Sequence, residues 1–562
     1  MDIPHYSIGI DYGTNSVRAL VVDTRTGQEV GCGVWAYLRG DQGVILDARQ
    51  PDLARQHPQD YLDGLCAAVR AALKQARHHA AFDASRVVGI GVDTTGSTPI
   101  PVDCDGKPLA LQRKWADRPD AMAWLWKDHT SHAEAAEITQ LAQRDKPEYL
   151  AKCGGIYSSE WFWSKLLHCQ RVAPRVFDAA ASWVELADYI PAVLTGTTAL
   201  NQLKRGVCAA GHKAFYHPDW GGYPDPAFLE RLDPVLVRIR QTLPDRAYTI
   251  GDAAGTLTAA WSKSLGLPAG IPVAVGAFDA HLGAVGSGIK TGTLVKIIGT
   301  SACDIAVAPL AKPLPDIPGL CGIVPESVLP DAFGLEAGQA AVGDIFNWFV
   351  QHIQPGGPKT GTHENLNGQA TKLKPGQSGL LALDWWNGNR TVLVDQRLTG
   401  LILGLTLHST PAEIYRALIE ATAFGARAIV NRLESHGVAI KRVVNCGGIA
   451  AKSPLTMQIY ADVLNRPVTL SRSAQTCALG AAMAGAVVAG RAAGGHDTFT
   501  QAARAMTAVL PKRFTPRRAA VRVYEKLYAC YQQLHDAFGV SGSADLSPIM
   551  KELLSLRDEV RS

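Results

Sequence analysis

Paired cysteines are missing from this 562-residue sequence. Its 11 cysteines are odd in number and no two stand in a C-x-x-C spacing. That excludes a disulfide-stapled secreted framework and a zinc ribbon, and fits reduced thiols in a cytosol. Charge of one sign is equally scarce: 55 Lys and Arg against 51 Asp and Glu leave +4. No lopsided basic face suits a phosphate backbone, so no nucleic-acid partner is expected. The nearest basic cluster, Lys512–Arg518, reads as a solvated loop. Long hydrophobic runs are missing too. The longest charge-free apolar stretch at helical spacing, Ala478–Gly490, is too short and too rich in Ala and Gly to span a bilayer. It reads as a closely packed core helix. Met1–Tyr6 carries no basic, apolar and small-residue leader pattern. A cytoplasmic protein without a membrane partner is the expectation.

Several catalytic signatures are absent as well. The nearest approach to a P-loop, Gly283–Lys290, has Ile289 between its last glycine and the lysine. There is no H-E-x-x-H, and neither His78-His79 nor His212 with His217 has metal-type surroundings. No G-x-S-x-G elbow occurs. Low-complexity tracts are lacking. What remains is an ordinary globular balance of 47% apolar and 19% charged residues, enough for two large domains or several smaller ones.

Three β-rich runs, Ser7–Gly13, Val17–Asp23 and Val30–Tyr37, are separated by short turns and predict an antiparallel meander. A helix follows over Tyr61–His79, with Leu62, Leu65, Val69, Ala72, Leu73 and Ala76 at spacings of three and four. Val87–Thr94 is continuously apolar and predicts a buried strand. A second half begins near residue 290, with strands over Pro268–Ala277 and Thr293–Thr300. Helix Pro411–Ser435 is marked by a Thr410/Glu413 capping box, Pro411 in the first turn and Gly437 beyond the end. Strand Lys441–Cys446 leads to Gly447-Gly448 and a helix capped at Ser453. A last helix, Val521–Phe538, is predicted to pack through Val523, Leu527, Leu534 and Phe538. Pro309–Pro318 and Pro355–Thr362 read as surface loops.

The candidate chemistry sits at strand ends. Asp11 ends an apolar strand and can hold a hydrated Mg²⁺; the turn Gly13-Thr14-Asn15-Ser16 offers N–H groups and hydroxyls to phosphate oxygens, with Arg18 in reach. A plain hairpin turn is the alternative. Gly299-Thr300-Ser301 is a second such turn, and two at equivalent places would form opposing walls of a cleft. Glycines 447 and 448 follow a buried strand and let a flat base approach the backbone. Asp93 precedes Thr94–Thr98, a polar cluster suited to sugar hydroxyls. Asp279 follows a buried strand: it can take the proton of an attacking hydroxyl, or cap a helix. The run Trp161-Phe162-Trp163 reads as packing.

The order D-x-G-T-x-S-x-R at Asp11–Arg18, then Asp279, Gly299-Thr300-Ser301 and Gly447-Gly448 resembles the FGGY family of carbohydrate kinases. The resemblance is nearly end to end. It is closest to the branch that phosphorylates L-ribulose in L-arabinose degradation, on Leu125–His129, Gly154–Trp161, Cys208–Lys213, Asp279–Gly286, Gly334–Ile345, Leu383–Val394 and Glu420–Arg427. It implies an α/β fold of two actin-like (ribonuclease-H-like) ATPase domains flanking a cleft. Residues 1–288 would bind mainly sugar, residues 289–545 mainly nucleotide, and 546–562 form a tail. The implied reaction is ATP-dependent phosphorylation of L-ribulose to L-ribulose 5-phosphate, with ATP and Mg²⁺. The alternatives are a D-ribulose, ribitol or xylulose kinase, or an actin-like ATPase that is not a kinase. A homodimer is one assembly the resemblance allows. By position, Asp279 matches the general base and Asp11 the metal-associated acid, acting through water. Gly13, Thr14, Asn15 and Arg18 match the first phosphate turn and Gly299 and Thr300 the second. Gly447, Gly448 and Lys452 match the nucleotide stretch, where relatives often carry Asn in place of Lys452. Gly96, Lys213, Asp279 and Glu336 match the sugar pocket.

Overall fold

The computed structural model describes residues 3–542, 544–546, 548 and 551; most of the expected tail at 546–562 lies outside them. The meander forms as β1 (Tyr6–Tyr12), β2 (Ser16–Asp23) and β3 (Glu29–Ala36). Helix α1 (Pro58–Ala76) starts earlier than its apolar stripe suggested, because His57 caps it by accepting from the Gln59 N–H and Pro58 fits the first turn. Strand β4 (Val87–Thr94) is buried along its whole length and runs parallel to β1, as a strand covered on both faces must be apolar. After α2 (Val207–Lys213), β5 (Ala253–Thr256) and β6 (Pro272–Ala274) complete a sheet of order β5-β6-β4-β1-β2-β3. The predicted strand through Ala277 breaks after Ala274. Ala277–Phe278 pairs separately with β4 and feeds α3 (Asp279–Gly286).

The second half repeats this plan. Strands β7 (Thr293–Ile298), β8 (Ala302–Pro309) and β9 (Ala332–Gln339) form the antiparallel set. Helix α4 (Pro411–Ser435) has the predicted bounds and capping box, a feature that stabilises a helix by about 1 kcal/mol. Strand β10 (Arg442–Cys446) lies parallel to β7, followed by α5 (Gly448–Lys452), α6 (Pro454–Leu464) and β11 (Val468–Ser471). After α7 (Thr476–Ala489), β12 (Val509–Phe514) closes the sheet, antiparallel to β11. Strands β7, β8, β9, β10, β11 and β12 thus take the places of β1, β2, β3, β4, β6 and β5. The hint of a duplicated unit in the two Gly-Thr turns is real at the level of topology.

The lobes are joined by two crossing helices. Helix α7 packs on β1 and β4 of the first lobe, while α3 packs on α7 and β7. This needs backbone-to-backbone approach: a Cβ on Gly9 would lie 1.7 Å from the Ala478 carbonyl oxygen, and one on Gly91 1.9 Å from that of Ala481. The small residues of Ala478–Gly490 are there for that approach. Between β4 and β5, an aromatic core holds Trp161, Phe162 and Trp163, as predicted for that run, although Trp161 also borders the cleft. The last helix, α8 (Arg518–Gly539), differs from expectation. It buries Tyr524, Tyr528, Tyr531 and His535, leaving Leu527, Leu534 and Phe538 only partly covered. The tyrosine hydroxyls reach buried carboxylates: Tyr524 donates to Glu420 at 2.8 Å and Tyr531 to Asp384 at 3.0 Å. The loop at 355–362 contains a short helix, Gly357–Thr360. Among the described residues, no helix is long and apolar enough to cross a membrane.

Candidate active site

Three strand ends bring three carboxylates together. Asp11 sits opposite Arg18 on β2 and beside Asp93 on β4, while Ala277 is also in register with Asp93, placing Asp279 two residues beyond. Arg18 Nη1 is 3.2 Å from Asp11 Oδ2. Asp93 is fully buried, and no donor reaches either of its carboxylate oxygens. Burial, then Asp11, then Asp279 raise its pKa well above the carboxylate range. Burial also raises the Asp11 carboxyl, with the Arg18 guanidinium pulling the other way. Asp279 is half-buried. It does not cap α3, which is capped by Phe278; it is the first helical residue, and its Oδ1 accepts from the Ala280 N–H at 2.7 Å. Burial and then Asp11 push its carboxyl up to about 7, against that N–H. A carboxylate so placed binds a proton at neutral pH far more readily than a free aspartate.

The first turn is held at both ends. Thr14 Oγ1 accepts from Trp126 Nε1 at 3.0 Å, the Thr14 carbonyl accepts from Gln56 Nε2 at 2.7 Å, and Asn15 Nδ2 donates to the Gln42 carbonyl at 2.7 Å. Asn15 therefore stabilises the turn itself. In the second lobe, Gly299 and Thr300 are exposed, and the backbone N–H groups of Val342 and Asp344 tie down the Thr300 carbonyl. Gly447 has φ +94°, and a Cβ there would lie 2.4 Å from the Ile298 carbonyl oxygen, so the β10 turn abuts the β7 turn. Nothing lies within 4 Å of a Cβ on Gly299 or Gly448. That open backbone is what a nucleotide would need. Lys452, at the end of α5, is exposed on the rim.

The expected sugar-pocket residues converge across the lobes. Lys213 Nζ, from α2, lies 3.5 Å from Glu336 Oε2 on β9, and Arg390 Nη2 donates to Glu336 Oε1 at 2.7 Å. Burial raises the Glu336 carboxyl, but the charges of Lys213 and Arg390 outweigh it and hold it well below the usual range. Lys213 also faces the Trp161 and Phe278 rings, at 5.3 and 5.8 Å from their centroids. Gly96 packs on Phe278, where a Cβ would meet the ring at 2.1 Å. Its segment is pinned by Glu185, which accepts from the Thr98 N–H at 2.7 Å, and by Lys165 Nζ, which donates to the Ser97 carbonyl at 3.0 Å. A cavity of about 850 Å³ opens between the lobes here, bordered by Trp161, Glu160, Cys321 and Arg390. The site residues that sequence reasoning missed are Asp93 as a third carboxylate, Arg390 and the imidazoles of His212 and His281. Arg390 lay inside a string that carried the resemblance, and Asp93 stood beside the noted polar cluster.

Two lobes with matching Gly-Thr turns, a carboxyl of raised pKa at the head of α3 and a polar pocket beside it suit phosphoryl transfer. The chain matches the FGGY family of carbohydrate kinases, N-terminal domain, over residues 6–286 and C-terminal domain over residues 294–489. It belongs to that family, and is therefore a sugar kinase with ATP as its phosphoryl donor. It is 43% identical to a ribulokinase of Shouchella clausii over 98% of each chain. It is 43% identical to one of Vibrio parahaemolyticus, over 94% of this chain and 95% of that one. The solved xylulose kinase of Rhodospirillum rubrum, 25% identical, covers 95% of this chain and 99% of its own with a TM-score of 0.75.

Proposed function

We propose that the protein transfers the γ-phosphoryl group of ATP to O5 of L-ribulose, giving L-ribulose 5-phosphate, with Asp279 as general base. The observation that carries this reading is the place of Asp279: half-buried at the head of α3, with its carboxyl pushed up to about 7. Its titration responds to Asp11 on one side and to Glu336 and Lys213 on the other. The full-length identity to ribulokinases supports the choice of sugar. Lys213, Glu336 and Gly96 would hold the ketopentose so that its terminal hydroxyl meets Asp279. Gly13, Thr14, Arg18, Gly299 and Thr300 would cradle the phosphates, and Gly447, Gly448 and Lys452 the nucleoside. The cleft halves would divide near residue 288. All 11 cysteines are free thiols, which supports a cytoplasmic setting.

The acidic strand ends fit a magnesium ion. Asp93 has two buried oxygens without a donor, next to Asp11, and a hydrated dication suits such a hard oxygen pair. Asp11 would hold it through water, and Asp93 would join on giving up the proton that burial favours. When bound, it would offset charge on the β- and γ-phosphates. The remaining work is alignment, because phosphoryl transfer has a loose transition state. Asp279 orients the hydroxyl and takes its proton as the P–O bond forms, and closure of the lobes keeps water from competing. An ADP-release assay over L-ribulose, D-ribulose, ribitol and xylulose tests the reading. L-Ribulose should show the highest kcat/KM; preference for another member, or no sugar-stimulated turnover, would contradict it.

A further inference from the structure

Behind the pocket, Glu336 meets two imidazoles that the reaction as described does not use. His212 closes α2 just before Lys213, and His281 lies two residues after Asp279 on α3. Both are buried, as is Glu336. His212 Nδ1 lies 3.4 Å from Glu336 Oε2, the two Nε2 atoms lie 3.1 Å apart, and His212 Nε2 is 2.9 Å from Ser327 Oγ of the second lobe. Burial pushes His281 down to about 4, and burial with His281 drives His212 well below its usual range. Both rings are neutral, so each carries one proton. The ionised Glu336 decides where: the nitrogen facing it is the protonated one, since a lone pair there would be repelled. His212 is then the Nδ1–H tautomer, its 3.4 Å contact to Glu336 being electrostatic, since Nδ1 has no hydrogen-bond partner among the described residues. Its Nε2 is left to accept from His281, while Ser327 Oγ donates to the Val324 carbonyl. The proton between the rings must belong to His281.

We propose that His212 and His281 are positioning residues, a neutral imidazole pair in series that links the helix led by Asp279 to the carboxylate the second lobe brings into the sugar pocket. Arg390 anchors Oε1 at 2.7 Å, whereas the nitrogens of Lys213, His212 and His281 surround Oε2 at 3.5, 3.4 and 3.8 Å. Those longer contacts leave Oε2 with capacity for a sugar hydroxyl, and the imidazole pair fixes the direction in which it is presented. The same three side chains have the composition of a metal cage. Lys213 and Arg390 already flank Glu336 with positive charge, so a dication would be repelled and the metal-free reading is favoured.

The inference rests on the assignment of Glu336 to the sugar pocket, and the test separates the two. His212→Phe should raise the KM for L-ribulose about tenfold, as for a lost polar contact that steadies a charged group. The KM for ATP should stay unchanged and kcat should fall much less. His212→Asn, whose amide nitrogen can stand in for Nδ1–H, should recover most of the loss. Glu336→Gln should also raise the sugar KM; if it does not, the pocket assignment itself fails. If Glu336→Gln does so while His212→Phe does not, only the positioning role fails. On the wild-type protein, ¹⁵N imidazole spectra should show His212 as the Nδ1–H and His281 as the Nε2–H tautomer. The opposite tautomers, or tight zinc binding lost in His212→Asn, would overturn the proposal without requiring any variant to retain activity.

Discussion

At the turn that ends their first strands, the two lobes run the same backbone over different side chains. In the first lobe Asp11 lies opposite Arg18 and beside Asp93; in the second the matching positions are Ile297, Cys303 and Cys446. An ionic floor in one lobe is an apolar floor in the other. The second lobe keeps its own charges, Lys296 with Asp304 at 2.9 Å and with Gln339 at 2.8 Å, one residue out of phase and so on the opposite face of the sheet. Duplication supplied two phosphate-sized turns. Under the proposed assignment, proton and cation chemistry falls to the first lobe and open glycine backbone to the second.

The comparison can be broken at each end. The largest effect is expected at the first lobe: Asp279→Asn should cut kcat by about 10²–10⁴-fold, the scale of a lost general base, with little change in either KM. Comparable loss from any second-lobe turn variant would erase the division of labour. Next comes Gly447→Ala, which sets a Cβ against the Ile298 carbonyl in a left-handed backbone. The KM for ATP should rise about tenfold with the sugar KM unmoved, because the strain falls on the nucleotide turn. The smallest effect sharpens the contrast within the first lobe. Asp93→Asn should weaken Mn²⁺ binding in the presence of ADP, read by electron paramagnetic resonance, yet raise Tm by about one degree, about 1 kcal/mol. The sign follows from linkage. The folded-state pKa of Asp93 is raised, so wild-type stability from this group is lost as pH rises above the ordinary aspartate range, whereas asparagine cannot ionise. The Tm gain should therefore grow with pH.

Much of the fold was legible locally. The β1–β2 and β7–β8 turns, the apolar run of β4 and the capped helix α4 each declare themselves within a few residues. The carboxylate cluster does not, because the register of Asp11 with Asp93 is set by a parallel pairing that crosses a whole helix. The imidazole pair is hidden for the same reason: His212 and His281 sit on different helices, and His217, the neighbour considered with His212, instead accepts from the Asp219 N–H. The C-terminal helix shows a third cause. Its periodicity was visible, but the buried stripe is tyrosine, chosen because Glu420 and Asp384 wait inside as acceptors. Burial of a polar tip depends on its partner, and no window of sequence contains both.

The central claim is that a carboxyl tuned by its neighbours activates the sugar. Its most direct measurement is the pH dependence of kcat/KM for L-ribulose at saturating magnesium–ATP, from about pH 5 to 9. The account predicts activity that falls tenfold per unit below about 7, as Asp279 takes up its proton. A profile flat across that range would show that no group with so raised a pKa accepts the hydroxyl proton.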